Sequence, residues 1–149
     1  MTPRIRFSSV LEHEYRDELE ELMFFNPQQR KALTGINHAI SEYGVPSVVE
    51  ANGRLRMSVE GLPECQTLFA LDHTAEKAIL AGVMVYMRTD PENIVLLHIA
   101  VKEDYSRTGI YGDEMLVLRF MTQLRDIAKR IKGIRSITLK YSSGLVIPV

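Results

Sequence analysis

The sequence predicts a mixed α/β (α+β) domain, with a mixed central sheet, two N-terminal helices and one long helix after the fourth core strand. Three observations carry that expectation. The chain has 149 residues, near the commonest single-domain size, and holds no linker, repeat or low-complexity segment, so residues 1–149 read as one domain. Its middle is a series of short apolar or alternating runs of strand length, lying between segments with helical spacing. Residues 93–140 then read strand, long helix, strand, the order of a parallel crossover.

Taken in order, residues 4–8 alternate Arg4 and Arg6 against Ile5 and Phe7, a short first strand. Ser9 with Glu12 three residues on has the form of a capping box, and Leu11, Tyr15, Leu19, Leu22 and Met23 continue as one helical stripe. Asn26 as N-cap with Pro27 at the first helical position opens a second helix, whose apolar face is Leu33, Ile36, Ile40 and Tyr43 and whose C′ residue is Gly44. Asn52-Gly53 is the favoured type I′ pair and joins strands over residues 47–51 and 54–60, with Leu55, Met57 and Val59 on one face.

Residues 66–72, 78–87 and 93–101 read as three strands. The last two are apolar on both faces, as central strands covered by helices are. A long helix is expected over residues 113–131, ending at Gly133, followed by a strand over 134–140. Beyond it, residues 144–147 have room for one short strand.

Composition excludes several classes. At 46% hydrophobic and 25% charged, usage is that of a globular chain rather than a disordered one. The formal net charge of −1 offers no general pull toward nucleic acid. A single cysteine, Cys65, can form neither an internal disulfide nor a thiolate cluster, which fits a reducing compartment. No histidine pairs with a cysteine or carboxylate at zinc spacing, so no metal is expected. The longest apolar runs are about half the roughly 20 residues a membrane helix needs, and no apolar core follows Arg4 and Arg6 as in a leader. A soluble cytoplasmic protein is the expectation.

The junction after the 93–101 strand bears most on function. It runs Val101-Lys102-Glu103-Asp104-Tyr105-Ser106-Arg107-Thr108-Gly109-Ile110-Tyr111-Gly112-Asp113-Glu114. A strand end, a loop with small residues and a helix start present unpaired N–H groups and the positive end of a helix dipole, which favour a phosphate. Lys102 and Arg107 add positive charge. The plainer alternative is that Gly109 and Gly112 only build the turn, with acids capping the helix.

This segment resembles the acyl-CoA-binding segment of the GNAT-type N-acetyltransferase superfamily, in which a strand ending in Val leads through D-Y-R-G-x-G-x-G/A into a helix. The order of elements from about residue 4 to 141 is similar too, with the 47–60 hairpin as an extended connection, and Ala81-Gly82-Val83 resembles a common motif of the preceding strand. Aligned on Tyr105, only Gly109 falls on a family glycine; Ser106, Arg107 and Tyr111 stand where the pattern has Arg, Gly and Gly or Ala. The resemblance implies acetyl-CoA as co-substrate and a small amine as acceptor. It puts the diphosphate at Arg107, Thr108, Gly109, Ile110, Tyr111 and Gly112, and the pantetheine along Ile99 and Val101. The family usually continues with a further helix and two strands; their lack leaves a bare parallel edge on the 134–140 strand, hence an expected homodimer.

Two residues are candidates for proton transfer. His98 is a titratable group in an apolar strand, either a base beside the thioester or a satisfied buried histidine. Strict alternation puts it with Leu96 and Ala100, opposite Leu97, Ile99 and Val101. Tyr141 is either a general acid or an edge aromatic. Glu14, Asp17, Glu18 and Glu21 form an acidic stripe, either a solvated face or an attraction for a cationic amine. An N-acetyltransferase-like enzyme and a degenerate, non-catalytic module that binds coenzyme A or dimerises both remain open.

Overall fold

The computed structural model describes residues 4–26, 33–62, 64–140 and 145–149. Strands β1 (Ile5–Ser8), β5 (Gln66–Asp72), β6 (Ile79–Asp90), β7 (Asn93–Val101), β8 (Ser136–Leu139) and β9 (Leu145–Pro148) lie side by side in that order. All neighbours are antiparallel except β7 and β8, which run parallel and are joined by helix α3 (Leu116–Arg130). The mixed sheet and its one crossover are thus as expected. Among the described residues no helix is long and apolar enough to cross a membrane.

α3 covers one face of this sheet. Its Leu116, Phe120, Leu124 and Ala128, spaced by four, pack on Met84, Ile94, Leu96, Val101 and Ile137. Gly82 is required here: a Cβ on it would lie 2.7 Å from the Phe120 ring, so only glycine lets the helix come down this closely. The other face carries α1 (Arg16–Phe24) and a three-stranded sheet of β2 (Leu11–Glu12), β4 (Arg54–Val59) and β3 (Pro46–Ala51), sharing a core of Leu19, Leu22, Leu55, Met57, Val59, Phe69 and Val83. Helix α2 (Leu33–Tyr43) ends at Gly44, whose φ of +97° is the left-handed cap expected. The β3–β4 turn is equally as expected, with φ of +54° at Asn52 and +76° at Gly53.

Three expectations are corrected. Ser9 caps no helix: Leu11 and Glu12 pair with Leu55 and Arg54, His13 N–H donates to Gly53 at 2.9 Å, and α1 starts only at Arg16. Pairing with the distant hairpin, which buries Leu11, outweighs the local capping signal. The expected opening of the second helix at Asn26 and Pro27 runs into residues 27–32, outside the described residues; the Asn26 amide Nδ2–H donates to the Val101 carbonyl. α3 starts three residues later than expected, after a single 3-10 turn at Gly112–Glu114 and a left-handed Met115 with φ of +51°.

Finally, β8 is not a bare edge. β9 pairs with it antiparallel from Leu139–Leu145 to Ser136–Pro148, which removes the ground on which a homodimer was expected. Val149 N–H points inward, to Arg135 at 3.0 Å, so by alternation the backbone groups of Pro148 face outward. Proline offers no N–H there, which blunts the new edge.

Candidate functional site

The parallel strands β7 and β8 stay paired only from Asn93–Ser136 to Leu96–Leu139. Just there β7 carries a bulge: Tyr86 pairs with Leu96 and Val85 with His98, leaving Leu97 as the extra residue. Beyond it, among the described residues, His98–Val101 pair with no strand but β6. The Val101 carbonyl points away from β6 and accepts the Asn26 amide Nδ2–H at 2.7 Å. By alternation the N–H and C=O of Ile99 face the same way, toward the side that β8 has left. Ile99 and Val101, two sequence-predicted residues, therefore turn their backbone groups to the same side, where Asn26 already takes the Val101 carbonyl.

The bulge also overturns the strict alternation assumed for β7. Ile99 and Val101 pack with Leu96 on the α3 side, while Leu97 and Ala100 belong to the α1 side. His98, paired with Val85, faces the α1 side with them. It is 4% exposed, and its Nε2 has no hydrogen-bond partner, so it is buried but not satisfied. Burial pushes its pKa down to about 4, so it is neutral near pH 7. A group so enclosed reaches no substrate as it stands. Tyr141 lies outside the described residues.

The loop from 102 to 115 turns half of its amides on itself. The N–H groups of Gly109, Tyr111 and Gly112 donate to Ser106, Asp104 and Gly109 at 2.9, 2.7 and 3.0 Å. A Cβ on Gly109 would lie 2.3 Å from the Glu103 oxygen, and one on Gly112 would lie 2.5 Å from the Arg107 oxygen. Both glycines serve the loop's own close packing, at φ values outside the left-handed region. What remains for an anion is Arg107, exposed, and the amides of Leu116, Val117 and Leu118, the first turn of α3, which no side chain caps. These residues, with Tyr105, Gly112 and Met115, line a cleft of about 420 Å³. Thr108 and Ile110 are exposed, Tyr111 is half-buried, and none of the three lines it.

The acids at the helix start leave the cleft clear of negative charge. Glu114 lies before the helix and pairs with Arg119 at 2.8 Å, while Asp113 is exposed and does not line the cleft. On the α1 side of the β7 terminus a smaller cavity of about 200 Å³ is lined by Glu18, Glu21, Phe25, Asn26, Lys102 and Asp104, among others. Half of the acidic stripe thus borders a concave surface.

A cluster unforeseen from the sequence anchors the loop. Asp72, at the end of β5, is wholly buried and accepts four hydrogen bonds. Its donors are the Tyr105 hydroxyl, Arg4 Nε at 2.9 Å, and the N–H and hydroxyl of Thr74 at 2.9 and 2.7 Å. Burial alone would raise this carboxyl, but Tyr105, Thr74 and Arg4 together hold it down to about 2. Burial, then the Asp72 carboxylate, push the Tyr105 phenol well above its ordinary range. The Arg4 guanidinium also lies 3.8 Å over the Tyr111 ring, which sits 5.0 Å from that of Tyr105.

No protein-family model matches this chain, and neither a curated protein nor a solved structure matches it.

Proposed function

We propose that the protein is a GNAT-like acyltransferase that takes an acetyl group from acetyl-CoA to a small primary amine. The observation that supports it most is the parting of β7 and β8 beside an uncapped helix N-terminus: parallel strands diverge after Leu96 and Leu139, and one leads through Arg107 into the first turn of α3. Arg107 and the amides of 116–118 suit a diphosphate, by charge and by dipole. The backbone of Ile99 and Val101 suits the amide-bearing pantetheine arm. The bound thioester supplies an activated acyl group; in the reaction its C–S bond breaks, a C–N bond forms, and a proton passes from the amine to the departing thiolate or to water.

The chain contributes chiefly by position. Holding amine and thioester together turns a bimolecular encounter into a local one. Glu18, Glu21 and Asp104 suit the approach of a cationic amine at the α1-side cavity. His98 takes no part in proton transfer.

A second reading is favoured by one observation: the amides of Gly109, Tyr111 and Gly112 are already donated within the loop. That suits a degenerate module that binds coenzyme A without catalysis. Melting curves with acetyl-CoA, beside thiol release in the presence of a panel of primary amines, separate the two. A rise in Tm with turnover supports the enzyme, and a rise without turnover supports the module. No rise at millimolar acetyl-CoA would sink both coenzyme A roles.

A further inference from the structure

Resting on the acyl-CoA role proposed above, we infer that Asp72 is a positioning residue: with Arg4 it holds the 105–111 loop in the shape that aims Arg107 at the cleft. The two groups come from outside the loop, one from the end of β5 and one from the residue before β1. Between them they grip both tyrosines of the loop. Asp72 takes the Tyr105 hydroxyl, and Arg4 covers the Tyr111 ring. Arg107 lies between these two anchors in sequence, on an exposed arc.

The chemistry demands a charged carboxylate at 72. All its lone-pair directions are used: Tyr105 and Arg4 on Oδ2, and the two Thr74 donors on Oδ1. An asparagine has one oxygen, which satisfies Thr74, and an NH₂ group that would face two donors. The Tyr105 hydroxyl and the Arg4 Nε would then both lose their acceptor inside the fold. The loop amides that bond to Ser106 and Asp104 keep their shape only while Tyr105 stays seated. Tyr15, outside the loop, supplies the comparison: its hydroxyl donates to the Ala78 carbonyl at 2.6 Å in the core on the α1 side, so Tyr15→Phe removes a tyrosine hydrogen bond without touching the loop.

Hydrogen exchange with ligand titration tests this on the full chain, for Asp72→Asn, Tyr105→Phe and Tyr15→Phe. Asp72→Asn and Tyr105→Phe should speed exchange of the 105–112 amides about 10- to 100-fold, the loss of a hydrogen bond to a charged group. Amides in the middle of α3 and β7 should change much less, and acetyl-CoA affinity should fall at least about fivefold. Tyr15→Phe should leave loop exchange and affinity as in the wild type. Should Asp72→Asn fail to fold, Tyr105→Phe carries the test by itself. Loop exchange and affinity both unchanged in Tyr105→Phe, or protection lost equally across the fold, overturns the positioning role. If wild-type protein binds no acetyl-CoA, the acyl-CoA role fails, while selective loop exchange still decides whether Asp72 sets the loop's shape.

Discussion

Lowering the pH from 7 to 4.5 should weaken this fold through His98. The side chain is 4% exposed, its Nε2 has no partner, and burial pushes its pKa down to about 4. In the unfolded chain the same group titrates near 6.5. Between those values the unfolded state binds a proton that the folded state refuses, so stability falls as the pH falls through the window and is flat above it. Taking the two values at face, the loss is about 2 kcal/mol by pH 4.5 and about 3 kcal/mol once the pH is below both. His98→Leu removes the titrating group and the orphaned nitrogen while filling similar space. Urea denaturation at half-unit steps from pH 7.5 to 4.5, followed by circular dichroism, reads the difference. Wild type minus variant should decline by about 2 kcal/mol across the series. A difference that stays constant with pH would refute the reasoning, because it would mean that the folded protein accommodates the imidazolium.

Other substitutions probe other links. Arg107→Glu should abolish the rise in Tm given by acetyl-CoA, about 2.7 kcal/mol of stabilisation at a hundredfold excess over Kd, while moving unliganded stability by less than about 0.5 kcal/mol. Gly109→Ala should cost about 1–3 kcal/mol by denaturant titration, because its Cβ would meet the Glu103 oxygen at 2.3 Å. Phe120→Ala, truncating a wholly buried ring between Gly82 and Phe7, should cost about 3–5 kcal/mol in the same assay.

The parts of the fold that were legible in the sequence are those specified by local chemistry. Asn52-Gly53 accepts positive φ cheaply, and the alternation of Leu55, Met57 and Val59 has one burial solution, so the hairpin could be read directly. Gly44 was readable for the same reason. The first helix start was not, because Leu11 is captured by a strand more than forty residues away. Met115 in the left-handed region carries no composition signal, and so α3 was placed too early. The candidate site was half legible. The strand–loop–helix junction was found, but the available amides proved to be those of 116–118 rather than of 109, 111 and 112. A one-residue bulge at Leu97 puts Leu97 on the face of His98 and Ala100 and Leu96 on that of Ile99 and Val101, and apolar strands give no warning of a bulge. Asp72 reads as an ordinary acid at a strand end; only the fold brings Arg4 and Tyr105 to it.

Amide chemical shifts of the ¹⁵N-labelled protein, followed through a titration with acetyl-CoA, address the proposed site most directly. The expected result is saturable movement of the Ile99, Val101, Arg107 and Leu116–Leu118 amides, with the interior of β5 unmoved. Movement confined to other surfaces, or none at millimolar ligand, would contradict a diphosphate at the α3 terminus and a pantetheine arm beside β7.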